Sequence, residues 1–217
     1  TGAILQELER GWDEEEIITL PIGLSLMDNF RYTENGPVYS PKNRTLGVTP
    51  LVLAAAEGRD AAVCVLLGFS NIDKEPDSGV TALFMALYYN RISTAKMLLR
   101  QGAKVEASGY NALHAAAKSG GCEMITDLVK LYHVNVNVED TGIDGATPIV
   151  YALQQPDERA RSTILHLRRL KASENLKLDH RWTFKDIARA IRKHSLVSEY
   201  AIPDDIFQLF ISQEYRH

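Results

Sequence analysis

The chain has 217 residues, 45% hydrophobic and 24% charged, with a formal net charge of −4. That length suits about one to one and a half domains, and the mixture is that of a globular chain, so disorder, collagen and coiled coil are not expected. No run of 18 apolar residues exists, which argues against a membrane-spanning helix.

The opening Thr1-Gly2-Ala3-Ile4 has no Met and no basic n-region, so no secretory leader is expected and the chain reads as an excised piece. Its charge is uneven: residues 1–34 carry eight acids and two bases, while residues 159–193 carry eleven bases and three acids. Cys64 and Cys122 are too few for a disulfide framework or a four-cysteine zinc site. Two packed thiols in a reducing compartment, cytoplasmic or nuclear, are the expectation.

From the N-terminus, Ile4, Leu5 and Leu8, then Ile17, Ile18 and Leu20, predict a capping helix pair or degenerate opening unit within residues 1–44. The stretch from Asn29 to Asn43, rich in Asn, Pro, Gly and Tyr, reads as a long surface loop. A phrase then repeats: Gly47-Val48-Thr49-Pro50-Leu51, Gly79-Val80-Thr81-Ala82-Leu83, Gly109-Tyr110-Asn111-Ala112-Leu113 and Gly145-Ala146-Thr147-Pro148-Ile149. A weaker fifth copy is Arg181-Trp182-Thr183-Phe184, and the spacings are 32, 30, 36 and 36 residues.

Each phrase is a helix start, because Gly permits a tight turn, Thr or Asn caps, and Pro suits the first helical turn. Small residues follow at helical spacing: Ala54-Ala55-Ala56, Ala86, and Ala115-Ala116-Ala117. Seven residues after each Leu stand Gly58, Asn90 and Gly120, where a short helix must end. A second apolar segment completes each unit: Val63 to Leu67, Ala95 to Leu99, and Met124 to Val129. Every unit therefore reads as helix, turn, helix and connecting loop.

With Leu113-His114-Ala115-Ala116 opening one unit and Leu98-Leu99-Arg100-Gln101-Gly102-Ala103 closing another, the chain resembles the ankyrin-repeat family over about residues 45–200. The resemblance implies an all-α helix-turn-helix repeat solenoid with short β-hairpin finger loops between repeats. The expected division is 1–44 for the cap and loop and 45–217 for the solenoid, with units at about 45–76, 77–106, 107–142, 143–178 and 179–217.

Departures are local. Unit two ends its inner helix with Leu87-Tyr88-Tyr89-Asn90, and the finger from His133 to Gly145 is long. Unit four replaces the mid-unit turn with Gln155-Pro156-Asp157-Glu158 and lengthens its second helix through Leu170. Lys185 stands at an apolar position of unit five, as a terminal cap with one solvated face would have it.

Catalytic readings are weak. Asp140-Thr141-Gly142 resembles the tripeptide of aspartic proteases, but that chemistry needs two carboxylates sharing a proton, and no second copy exists. Cys122 with His114 or His133 lacks an orienting third group, and no His-x-x-x-His or Cys-x-x-Cys spacing suggests a metal. Asn43-Arg44-Thr45 is a chance glycosylation pattern, and Ser119-Gly120-Gly121 lacks the Lys-Ser/Thr of a phosphate loop. Neither cofactor nor enzymatic activity is expected.

A non-catalytic protein-interaction module, a monomer or a domain of a larger protein, is the leading reading; the alternative is a regulatory or targeting domain of a larger protein whose catalytic part lies outside this chain. In the family the partner is usually held on the concave face and finger loops. Carried over by position, the stripe comprises Leu46, Val48 and Glu57; Asp77, Val80, Tyr88 and Tyr89; Tyr110, Lys118 and Ser119; Asp144, Gln154 and Gln155; and His180 and Trp182. Tyr88, Tyr89, Tyr110 and Trp182 form the expected hot-spot cluster, since aromatics dominate binding energy. The competing assignment has Tyr88, Tyr89 and Trp182 filling space in the core.

A second interaction reading uses the basic run Arg161, Arg168, Arg169, Lys171, Arg181, Lys185, Arg189 and Arg192. Set on one face, these could meet an acidic surface or, as the lesser alternative, nucleic acid.

Overall fold

The computed structural model describes residues 18–21, 30–33, 36–39, 45–75, 80–108, 111–140, 145–178, 182–191 and 193–196. The inner helices are α1 (Pro50–Glu57), α3 (Ala82–Tyr88), α5 (Ala112–Ser119), α7 (Pro148–Tyr151) and α9 (Phe184–Ala190). The outer helices are α2 (Asp60–Leu66), α4 (Ile92–Arg100), α6 (Cys122–Lys130) and α8 (Asp157–Arg169).

Each inner helix starts where the repeated phrase places its cap. Thr49 Oγ1 accepts from Val52 N at 3.4 Å and Thr81 Oγ1 from Phe84 N at 3.2 Å. Asn111 and His114 cap reciprocally, as do Thr183 and Asp186, whose carboxylate accepts from Thr183 N at 2.9 Å. Such caps satisfy amide donors that the first turn leaves free.

The stops also fall where expected. Gly58, Asn90 and Gly120 adopt φ of 72°, 57° and 81°, the left-handed region that ends a helix. Unit four differs as its sequence suggests: α7 passes into a 3-10 turn over Ala152–Gln154, and Pro156 then caps α8, at 13 residues the long outer helix.

Inner helix packs on inner helix along the stack, α1 on α3, α3 on α5, α5 on α7 and α7 on α9. The alanines at these contacts are buried, with Ala55, Ala86, Ala115, Ala116 and Ala117 at 0% exposure. Their lack of bulk lets backbones approach, and larger side chains such as Phe84, Met85, Leu113 and Tyr151 fill the core around them. The outer helices bury one stripe each, including Leu98 and Leu99, Met124 and Ile125, and Ile164 and Leu167.

The described residues between 18 and 48 form strands in place of the expected helix pair. Strand β1 (Ile18–Pro21) pairs antiparallel with β4 (Thr45–Val48), from Ile18 opposite Val48 to Pro21 opposite Thr45. Within the segment read as a surface loop, β2 (Phe30–Thr33) and β3 (Gly36–Tyr39) form an antiparallel pair. Ile18 and Thr19 are β-branched and Pro21 cannot continue a helix, so the short apolar run pairs as an edge strand instead. Asn35-Gly36 supplies a hairpin signal between β2 and β3. Strand β3 also lies against α9. The rest of the proposed cap, including Ile4, Leu5 and Leu8, lies outside the described residues.

In the terminal unit β5 (Lys177–Leu178) pairs with β6 (Trp182–Thr183) ahead of α9, and Leu196 is buried in a short 3-10 turn.

The two glycines that stop inner helices, Gly58 and Gly120, are covered by the next unit. A Cβ on Gly58 would meet Arg91 Cδ at 2.8 Å, and one on Gly120 would meet Gln155 Oε1 at 2.5 Å and Arg159 Cδ at 2.9 Å. Gly102 has the same handedness, with φ of 88°, but open space around it. Gly102→Ala should therefore cost about 1 kcal/mol for the backbone alone, and Gly120→Ala clearly more. Urea midpoints of the two variants test this, and equal losses would mean that the cover over Gly120 contributes nothing.

Candidate functional site

The turn tips of units two and three bring together the residues that the stripe predicts there. Tyr88 is the last residue of α3 and Lys118 lies near the end of α5; both stand five residues after the Leu of their phrase, at equivalent positions 30 residues apart. Stacking sets them side by side, with Lys118 Nζ 3.1 Å from the Tyr88 ring centroid. Such a cation–π contact contributes about 0.5–2 kcal/mol, depending on desolvation.

Tyr88 is only 8% exposed, its ring 6.0 Å from that of Phe84. Tyr89 is 39% exposed and stands edge-on to Tyr88, with ring centroids 5.1 Å apart at 71°. The two competing assignments thus divide between neighbours: Tyr88 packs, and Tyr89 presents a ring to solvent.

Burial moves the proton affinities here. Loss of solvent lowers the Lys118 ammonium to about 8. It raises the Tyr89 hydroxyl, against an opposing pull from Arg91. Arg91 is exposed, and its Nε donates to Ala56 O at 3.0 Å.

Other stripe residues fare differently. Glu57 is exposed and paired with Arg59. Val48 and Val80 are both 0% exposed, which corrects their assignment to the surface. Each precedes a capping threonine, where an apolar side chain folds back on the helix it introduces. Gln155, at 4%, is corrected likewise: its Nε2 donates to Ala117 O at 2.6 Å and to Thr163 Oγ1 at 3.2 Å, pinning unit four to unit three.

Gln154 is half-buried, with Nε2 lacking a hydrogen-bond partner among the described residues. Ser119 Oγ donates to Ala116 O at 3.1 Å, and half-buried Trp182 packs against the core. Asp77, Tyr110, Asp144 and His180 lie outside the described residues, as does the side chain of Leu46.

The basic segment is partly committed to its own fold. Arg168 pairs with Glu174, Arg189 with Asp186 at 3.6 Å, and Arg161 donates to Ser195 O at 3.4 Å. Arg169 and Lys171 are exposed and Lys185 is half-buried, while Arg181 and Arg192 lie outside the described residues.

The nucleophile and acid candidates turn out to be structural. Cys122 is half-buried, and burial raises its thiol pKa, the opposite of activation. His114 is buried: Nδ1 accepts from Asn111 N at 3.2 Å, and Nε2–H donates to Ala146 O at 2.9 Å and Val138 O at 3.1 Å. Asp140 is buried and accepts from Tyr151 Oη at 2.6 Å, with the Tyr151 ring 4.8 Å from that of His114. Among the described residues no His, Cys, Asp and Glu cluster could hold a metal ion, and no helix is long and apolar enough to cross a membrane.

Sequence reasoning missed the contacts that rigidify this surface. Asp60 accepts from Ser93 Oγ at 2.6 Å and Thr94 Oγ1 at 2.5 Å, which lowers its pKa. In the fingers, Asp73 accepts from Lys104 N, Glu75 from Ser108 N and Asn137 from Ser173 N, at 2.8, 3.0 and 2.7 Å. Each side chain reaches the amide one unit on, an offset of 31, 33 and 36 residues.

A family profile described as "Ankyrin repeats (3 copies)" matches residues 30–108 and 51–140, together just over half of the chain. The chain is 34% identical over 111 residues to the nuclear factor NF-kappa-B p105 subunit of Gallus gallus, covering 48% of this chain and 11% of that protein. It is 48% identical over 63 residues to palmitoyltransferase AKR1 of Yarrowia lipolytica, covering 28% of this chain and 9% of that protein. The chain thus spans about a tenth of the length of these relatives.

Burial lowers the pKa of His114 below its ordinary 6.5, against the pull of Asp140 and the bonded carbonyls. The unfolded chain then binds the proton more tightly, so stability is full above about 6.5 and falls as pH drops below it, by at most about 1.4 kcal/mol per unit. Urea unfolding from pH 7.5 to 5.5 should show this slope, and His114→Gln, less stable throughout, should show a shallower one. Identical slopes would remove His114 as the cause.

Proposed function

Because the chain belongs to the ankyrin-repeat family, we propose that it is a protein-interaction module that binds a partner on the concave surface of units two and three. Ankyrin repeats are a non-catalytic interaction fold, and no helix among the described residues could span a membrane. The observation that carries the assignment is the exposed Tyr89 ring, held edge-on to a packed Tyr88 that is itself clamped beneath Lys118. An aromatic fixed before binding gives contact area with little ordering cost.

One feature supports the module's place within a longer protein: the relatives it matches are about ten times longer than the aligned segments. The basic segment is the weaker candidate surface, since Arg168 and Arg189 already have carboxylate partners.

Tyr89→Ala should leave the melting temperature within a few degrees of wild type, while weakening the partner by about tenfold or more. Partners captured from a eukaryotic lysate and identified by mass spectrometry would be measured against both chains by calorimetry. Unchanged affinity in Tyr89→Ala, with loss in an Arg161→Ala/Arg169→Ala/Lys171→Ala variant, would move the site to the outer helix of unit four.

A further inference from the structure

We propose that the occupant of this concave surface is a protein segment that seats an acidic side chain on Lys118 beside Tyr89. The proposal rests on the concave-face reading and specifies the chemistry of what fills it.

Lys118 is the starting point. Its ammonium is half-buried against the Tyr88 ring, 3.1 Å from the centroid, and among the described residues no carboxylate lies within ion-pair distance of it. Two other lysines of the stack show how such a cation can be satisfied. Lys193 Nζ meets Asp157 Oδ1 at 2.9 Å and also donates to Gln155 O, and Lys96 pairs with Glu123. An ammonium has three donors, and a ring face takes up charge without satisfying them. Desolvation without a carboxylate is costly, and burial accordingly lowers the proton affinity of Lys118.

The surroundings reinforce the choice of an anion. Residues 79–101 and 107–122, which hold α3, α4, α5 and their turns, contain no Asp or Glu, in a chain whose net charge is −4. Arg91 stands exposed beside Tyr89, its Nε bonded to Ala56 O, so the ring pair has a cation from its own unit and another from the next. A carboxylate approaching Lys118 therefore meets two positive groups, and no Asp or Glu of α3, α4, α5 or their turns stands there to repel it; Glu57, at the position of unit one equivalent to Tyr89, is already paired with Arg59.

A protein segment fits better than a polyanion. Among the described residues, the cations placed at the rings are Lys118 and Arg91, and the exposed flank between them is an aromatic edge, which rewards one carboxylate attached to apolar contacts.

The test uses the full chain and a phage-displayed random dodecapeptide library. Peptides whose affinity falls at least about tenfold in Tyr89→Ala are kept as concave-face ligands. Each is then measured with its Asp or Glu changed to Asn or Gln, against wild type, Lys118→Met and Lys118→Arg. Neutralising the acid should weaken wild type and Lys118→Arg by about tenfold and Lys118→Met by less than about twofold. Lys118→Arg retains the charge, and so separates loss of the anion site from loss of folding.

Tyr89-dependent peptides without acids, or an acid effect of equal size in Lys118→Met, would overturn the inference while leaving the concave-face reading intact. Recovery of no Tyr89-dependent peptide would overturn both.

Discussion

Neighbouring inner helices pack on one another with Ala54, Ala55, Ala86, Ala115, Ala116 and Ala117 buried, and the close approach that such small residues permit is the constraint on which the stack depends. A single unit has two short helices and cannot cover its own apolar faces. Burial is completed only by the next unit, and only if the inner helices begin and end in register. Caps at Thr49, Thr81, Asn111 and Thr183 set the beginnings. Left-handed residues at Gly58, Asn90 and Gly120 set three of the ends. With both ends fixed, equivalent positions of successive units fall into columns.

Those columns explain both rigidity and the candidate site. Down the outer helices, Asp60 clamps Ser93 and Thr94; down the fingers, Asp73, Glu75 and Asn137 each reach the next backbone amide. His114 holds Val138 O and Ala146 O, fixing the long finger between units three and four. At the ends of the inner helices the column contains Tyr88 and Lys118, and the missing small residues of unit two are the reason an aromatic pair stands there. The same register that builds the core thus brings a cation onto a ring.

Much of this was legible in the sequence because start and stop signals are local. The cap, the proline of the first turn and the glycine seven residues after Leu act within one helix, and the structure keeps all three. Strand β1 was not legible: its partner lies 24 to 30 residues away, and a short β-branched run before Pro21 does not announce which way it pairs. Val48 and Val80 were misplaced because a stripe defined by position ignores how the residue before a cap turns inward. Gln155 looked like a surface amide, yet it takes up the carbonyl of Ala117 that the end of α5 leaves open. The Tyr88–Lys118 contact could have been found, since equal positions in adjacent units are neighbours. The division of Tyr88 from Tyr89 into packed and exposed needed the coordinates.

On the proposed function, binding is a by-product of register: a partner would read the column at the inner-helix ends, and the fingers and outer helices would hold that column still. Amide hydrogen exchange with and without a bound Tyr89-dependent ligand measures this directly. The account predicts added protection centred on Tyr88 to Arg91 and Lys118 to Gly121. Protection confined to Asp157 through Lys171 would contradict it.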